Sequence, residues 1–447
     1  MSHIHKDGPY SWLWLTVTAI VCFTFIGLAD SMGIIVAVFI ERLHGSNAIG
    51  GWIGSVIFFL ALALTPLVVY IHRRAGFRWC MLITSILFSF SLCLTPFMTN
   101  TILIFFTYSI PFGCVLSVIS TLTIITQREY FSKYFGLAVG VRFSANAIGA
   151  MVVSIILPII LAEFGYKMTF FSMLVFTPVL LLYGLVARHQ AQQVQVRETE
   201  KCGESVTSLY KEFFQDKSFT VSLIGVTMFT FTCLIPLIFM VRYGVTLGYP
   251  LSKAKWLMVT RGITTFVARL LAGRLGDIFL KNGKVKMVSQ ITFVVFGVLN
   301  FMCSFLRSFP LLLVYMGLVG IVEGVWWVTY PILIMEITGG YYYNEAYSLV
   351  CLIIAFAILL GPPIVGRIFD VTNDFRYVFY LAFGVSLLAA ITLNISSRVR
   401  VESEQSLVQK GKLAKENMPC ETDRSLDKSH SILESGVKTK LVYETAV

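Results

Sequence analysis

The sequence predicts an all-α membrane protein with twelve transmembrane helices arranged as two six-helix pseudo-repeat bundles. Three observations carry this. Uncharged or nearly uncharged runs of about 18 or more residues recur along almost the whole chain, each long enough to cross a hydrocarbon core of about 30 Å. Of 447 residues, 57% are hydrophobic and only 13% charged, too little polar surface for a water-soluble chain, where about 25% is usual. Basic residues gather in alternate loops, and the turns after the second and eighth runs echo each other. Backbone polar groups find no water in lipid, so the runs must be helices.

The N-terminal stretch 1–11 leads straight into a first span at 12–40. With no small-residue cleavage site after a short apolar region, it reads as a permanent helix and not a signal peptide. Spans two to six follow at 49–71, 79–97, 101–126, 134–160 and 166–187, closing a first bundle at 12–187. Residues 188–218, rich in Gln, Glu and Lys, read as a cytosolic linker. The second bundle, 219–396, holds spans at 219–242, 254–279, 287–306, 310–335, 345–367 and 376–396. The tail 397–447 is polar, charged and poor in aromatics, the composition of a disordered segment.

Orientation follows from the cations of the short loops. Arg73, Arg74, Arg78, Arg128, Lys133, Arg274, Lys281, Lys284 and Lys286 all fall on the side of the termini and the linker. The other side holds mainly Arg42, Lys167 and Arg307, partly offset by Glu41 and Glu163. Both termini are therefore expected in the cytosol, which requires an even number of spans. The net charge of +11 resides in these loops and the linker, so it speaks for anionic lipid and not for nucleic acid. Most of the nine cysteines lie inside apolar runs at irregular spacing without a CxxC pair, which argues against a disulfide framework or a zinc site.

After span two comes Arg73-Arg74-Ala75-Gly76-Phe77-Arg78; after span eight comes Gly273-Arg274-Leu275-Gly276-Asp277, then Lys281 to Lys286. Internal repeats of this kind build many secondary transporters, with the substrate site between the halves near mid-membrane. The second turn resembles the loop signature of the major facilitator superfamily; the first keeps its basic part but has Tyr70 where that signature has an acid. Three further stretches resemble the monocarboxylate transporter family. They are Asp7-Gly8-Pro9-Tyr10-Ser11-Trp12 entering span one, Tyr130-Phe131-Ser132-Lys133 with Leu137-Ala138-Val139-Gly140 entering span five, and Gly361-Pro362-Pro363-Ile364-Val365-Gly366 with Asp370 in span eleven. Gly136, Gly140, Ala145, Ala147 and Gly149 also allow span five to approach a neighbour closely, for packing or for rocking.

Ionisable residues deep in spans are costly and face a cavity or a partner. Here they are Asp30 in span one, Arg142 in span five, Arg261 and Arg269 in span eight, and Glu323 in span ten. Arg269 matches the arginine with which the resembled family holds substrate carboxylate, a task suited to a permanently charged two-point donor. Arg261 either extends an anion path or snorkels outward. Asp30 and Glu323 are candidates for proton or cation coupling; charge balance, Asp30 with Arg142 and Glu323 with Arg269, is the competing expectation. The resemblance has gaps. Ile34 stands where proton-linked members carry a lysine, Thr265 where they carry an aspartate, and Tyr134-Phe135 where a basic pair is usual. Carboxylate recognition is therefore better supported than proton coupling.

Trp326, Trp327 and Tyr330 near Glu323 are candidates to stack on a substrate, or to be core. The terminal Thr445-Ala446-Val447 suits a PDZ groove. The resemblance implies a single-span accessory glycoprotein as partner and the plasma membrane as location. No catalytic triad, metal cluster, nucleotide loop or cofactor motif is evident, so an enzyme is not expected. The reading is a carrier of small organic anions working by alternating access. Its alternatives are an uncoupled carrier of amino acids or other zwitterionic or uncharged metabolites, and a transporter-like sensor or scaffold.

Overall fold

The computed structural model describes residues 6–31, 47–98, 100–186, 206–339 and 342–416. Every regular element among them is a helix. Among the described residues nine helices are long and apolar enough to cross a membrane, and three features turn nine into the twelve-span layout. Phe135–Leu185 runs for 51 residues but reverses at Gly165 (φ 74°), so it supplies spans five and six. Span two is Asn47–Ala63 continued into Thr65–Leu94, a helix that breaks at Gly76 (φ 81°) before becoming span three. Both glycines occupy a left-handed backbone that a Cβ would strain. Span eight, Leu251–Lys281, owes its lower hydropathy to its own arginines.

Each span divides into a packed and an exposed face. In span three Met81, Phe88 and Leu92 are buried, whereas Ile83, Ile86 and Phe90 are exposed, one helical stripe for the bilayer to cover. Aromatic pairs knit each half. Trp14 of span one stacks on Tyr183 of span six at 4.7 Å. In the second half Phe229 stacks on Phe293 at 3.9 Å, with Trp326 edge-on to Phe293 at 5.0 Å.

Two expected boundaries shift. The stretch 188–218 contains the helix Val206–Gln215, whose Tyr210 hydroxyl meets Ser348 Oγ at 2.9 Å. Span seven starts at Lys217, capped by the Asp216 carboxylate, which accepts from Ser218 and Phe219 backbone N–H at 2.8 and 3.3 Å. The last helix is Phe375–Glu416, so helix continues past residue 396 into the expected disordered tail. Residues there, such as Glu402, Glu404, Gln405, Leu407 and Lys410, are good helix formers. Thr445, Ala446 and Val447 lie outside the described residues, as does Ile34.

Candidate functional site

The seam between the halves is built on glycine contacts. A Cβ added at Gly140 of span five would lie 2.7 Å from Gly273 Cα and 2.8 Å from the Arg269 carbonyl oxygen of span eight, so the two backbones touch. On the other face of span eight, span ten is drawn in as closely. A Cβ at Gly320 would meet the Arg261 carbonyl at 2.6 Å, one at Gly324 would meet Ala268 Cβ at 2.7 Å, and Thr265 Oγ1 donates to the Gly320 carbonyl at 3.0 Å.

Glu323 lies between those two glycines and pairs with Arg261, not with Arg269. Arg261 Nε donates to Oε2 at 2.7 Å and Nη2 to Oε1 at 2.6 Å, a two-point pair with both side chains largely buried. The reason is the rotation of the two spans against each other, which Gly320 and Gly324 set by letting span ten lie against Arg261 and Ala268 of span eight. That leaves Arg269 without an ion-paired acid among the described residues. Its Nη1 crosses the seam to donate to the Phe143 carbonyl at 2.8 Å, its guanidinium carbon lies 5.9 Å from the Phe143 ring centroid, and its Nε has no hydrogen-bond partner although the residue is only 8% exposed.

The expected pairing of Asp30 with Arg142 is likewise corrected. Arg142 Nε donates to Thr123 Oγ1 at 2.9 Å and Nη2 to the Ser120 carbonyl at 3.2 Å, both on span four, with its guanidinium carbon 4.5 Å from the Phe143 ring centroid. Asp30 keeps accessible surface, yet burial within the protein is the largest influence on its carboxyl, followed by Arg269 and then Arg261, with Glu323 opposing. Its helix is pinned beside span five, where Ser31 Oγ donates to the Ala150 carbonyl at 3.0 Å.

Of the three aromatics put forward for substrate, Trp326 is buried in the core edge-on to Phe229 and Phe293, and Trp327 is half-buried and faces the Phe143 ring at 6.4 Å. Tyr330 is buried between spans ten and eleven, its hydroxyl 3.0 Å from Cys351 Sγ and its ring 5.8 Å from that of Tyr347, a packing position and not a cavity wall.

The signature residues gather around the start of span five. Asp7, at φ 63°, accepts from the Ser132, Lys133 and Tyr134 backbone N–H groups at 3.1–3.4 Å. Gly8 is the N-cap of the first helix, and Trp12 packs its ring on Phe131 and Tyr134 at 5.4 and 5.8 Å. Lys133 Nζ lies 5.4 Å from the Tyr134 ring. From the other half, Asp277 accepts from Gly136 N–H at 2.5 Å and Leu137 N–H at 3.0 Å. Gly361, Pro362, Pro363 and Asp370 all belong to the unbroken helix Tyr343–Thr372, where Gly361 is buried beside Phe231.

Two residues not singled out from sequence complete the seam. Glu345, in the first turn of span eleven, forms an ion pair with Arg73, and Phe143 connects both inner arginines. The signal for Glu345 was present: an acid at a helix start opposite the basic turn that lacks its own acid. These contacts, together with Phe135 edge-on to Tyr343 at 6.0 Å, join the halves on the side where the chain termini lie. Among the described residues, no three His, Cys, Asp or Glu side chains gather as a metal site.

Comparison with known proteins agrees with this architecture. The profile of the family described as Major Facilitator Superfamily matches residues 18–254 and 245–433. Monocarboxylate transporter 4 of Gallus gallus is 24% identical over 386 residues, covering 84% of this chain and 80% of that protein. Monocarboxylate transporter 4 of Mus musculus is 25% identical over 401 residues, covering 87% and 83%. Monocarboxylate transporter 10 of Homo sapiens is 19% identical over 444 residues, covering 96% and 85%. Among solved structures, the E. coli fucose:proton symporter FucP superposes with a TM-score of 0.65 at 12% identity, covering 88% of this chain and 99% of that one. The proton:xylose symporter XylE bound to 6-bromo-6-deoxy-D-glucose gives 0.62 at 15% identity, covering 86% and 94%.

Proposed function

The chain belongs to the major facilitator superfamily and is a transporter, not an enzyme, and on that premise we propose that it carries small organic anions of the monocarboxylate kind by alternating access. The observation that supports this best is Arg269. It is a buried guanidinium at the seam of the halves, committed to no carboxylate because Glu323 is taken by Arg261, and it keeps an unpartnered Nε. Leaving such a charge unpaired is costly, and a substrate carboxylate would relieve it with charge-assisted hydrogen bonds. Trp327 and Phe143 beside it offer aromatic surface to the apolar part of the substrate.

In this reading the side of the termini is cytosolic and closed, and transport proceeds as the bundles rock about Arg269. The substrate moves without a coupled proton, since Thr265 spends its hydroxyl on the Gly320 carbonyl where an acid would be needed. The membrane is the plasma membrane, with an accessory glycoprotein and a PDZ domain at Thr445, Ala446 and Val447 as partners. A second reading draws on Asp30 specifically: exposed, and acted on by Arg269 and Arg261, it can receive an ammonium group, which would make the substrate a zwitterion such as an amino acid.

The test is uptake of labelled lactate, phenylpyruvate and phenylalanine into vesicles holding the purified protein, with and without an inward proton gradient. Arg269→Ala is expected to abolish uptake, and the gradient to leave the wild-type rate unchanged. Full uptake by Arg269→Ala would sink the carboxylate clamp. Acceleration by the gradient would restore proton coupling, with Asp30 as its candidate group.

A further inference from the structure

The central charges do not balance. Three guanidiniums, those of Arg142, Arg261 and Arg269, face two carboxylates; Glu323 is spent on Arg261, and among the described residues Asp30 comes within ion-pair distance of none of the three. Arg142 and Arg269 are what remain, and Arg142 is the one the clamp does not use. It is 2% exposed, its partners among the described residues are neutral groups, the Thr123 hydroxyl, the Ser120 carbonyl and the Cys22 thiol, and no carboxylate among those residues comes within ion-pair distance of it. A buried cation with neutral partners alone is costly, and an anion that visits the site offsets that cost.

Its placement relative to Arg269 is specific. The Phe143 ring lies near both guanidiniums, Arg142 at 4.5 Å and Arg269 at 5.9 Å from its centroid. Spans five and eight run in opposite directions: span five begins at Phe135 on the side of the termini, span eight at Leu251 on the far side. Helical side chains lean toward their own N-terminus. The Cα–Cβ bond of Arg269 therefore tilts toward the far side and that of Arg142 toward the side of the termini, with one aromatic ring near both guanidiniums.

A second donor of the other half packs on span five. Tyr343, at the start of span eleven, is 3% exposed, and its hydroxyl is buried without a hydrogen-bond partner. Its ring stacks on Tyr347 at 6.0 Å and lies edge-on to Phe135 at 6.0 Å, about two turns before Arg142 on the same helix. A guanidinium and a phenol, both donors, one from each half, are the chemistry that recognises a carboxylate.

Resting on the anion-carrier reading above, we propose that Arg142 with Tyr343 is a second carboxylate site, which takes the substrate from Arg269 across Phe143 as the halves open toward the side of the termini. Arg269 sets affinity from the far side; Arg142 sets it from the side of the termini.

The experiment measures half-saturation separately from each face, in vesicles of defined orientation, with whichever of labelled lactate, phenylpyruvate and phenylalanine gives the largest flux. Arg142→Gln should raise half-saturation from the side of the termini about tenfold, the loss of one charge-assisted contact, and leave the far-side value within about twofold. Arg142→Lys should recover part of the loss. Tyr343→Phe, which keeps the packing, should shift the same face in the same direction, so the proposal is tested even where Arg142→Gln does not fold. Equal shifts on both faces, or none in either folded variant, overturn the second site. Arg269→Gln run alongside separates the two ideas: flux that survives it overturns the anion clamp itself, whereas flux lost there with symmetric behaviour at Arg142 overturns only the second site. A panel without any flux overturns both.

Discussion

Glu323 could have met either of two arginines, because Arg261 and Arg269 stand eight residues apart on one helix, about 12 Å in rise and about 80° in rotation. All five ionisable residues of the membrane interior were legible in the sequence, since charge inside an apolar run stands out by itself. Their pairing was not. It depends on how spans eight and ten are rotated against each other, and that rotation is set by Gly320 and Gly324, whose missing side chains let the helices approach. The consequence is testable at one atom pair. Glu323→Gln leaves Arg261 as a buried, uncompensated cation, and breaking a pair of this kind costs about 3–5 kcal/mol. Thermal unfolding of the purified protein should show a clear drop in Tm for Glu323→Gln. The apolar double variant Arg261→Met with Glu323→Leu should regain most of it, because removing both charges removes the penalty. A single variant as stable as wild type would mean that the pair contributes nothing to the fold.

Among the elements, span five has the most unusual beginning. The first N–H groups of any helix lack partners within it, and here Asp277, from the end of span eight, accepts from those of Gly136 and Leu137, while Asp7, from the chain's own N-terminal segment, accepts from Ser132, Lys133 and Tyr134 of the turn that leads in. Both also sit at the positive end of the helix dipole. The sequence showed Asp7, Lys133, Gly140 and Asp277 as pieces of separate signatures; that they converge on one helix terminus requires segments far apart in the chain to meet, which no local pattern encodes. Asp7 holds the terminus within the first half, whereas Asp277 ties it to the second. Removing Asp277 should therefore loosen the seam and leave span five intact. With spin labels at the exposed Ser132 and Lys281 in a cysteine-free background, Asp277→Ala is expected to add a longer-distance population, reflecting loss of two hydrogen bonds to a charged acceptor at about 1.5–3 kcal/mol each. An unchanged distance distribution would show that the glycine contact of Gly140 and Gly273 alone keeps the halves together there.

For the whole molecule, the two halves repeat a plan but fasten to each other by different chemistry. The second half offers Asp277 to the start of span five. The first half has Tyr70 at the corresponding turn, stacked under Arg74 at 4.7 Å, and so has no acid to offer to the start of span eleven. Instead the start of span eleven supplies the acid, Glu345, and the turn supplies the cation, Arg73. The polarity of the contact is reversed while its place in the pseudo-repeat is kept. The pair is nearly buried, with the Arg73 side chain 17% and Glu345 3% exposed, so its opposite charges depend strongly on each other. Contact between the halves on the side of the termini then rests on two separate fastenings, and the alternating-access cycle proposed above would have to release both. Exchanging the charges tests this directly. Arg73→Glu and Glu345→Arg each place like charges in contact and should cut flux at least about tenfold, as like-charge juxtaposition costs several kcal/mol. The double exchange restores opposite signs and should return more than half of the wild-type flux at equal protein in the membrane. A double variant no better than the worse single one would mean that Arg73 and Glu345 act through other neighbours, and that the first half closes on Phe135 and Tyr343 instead.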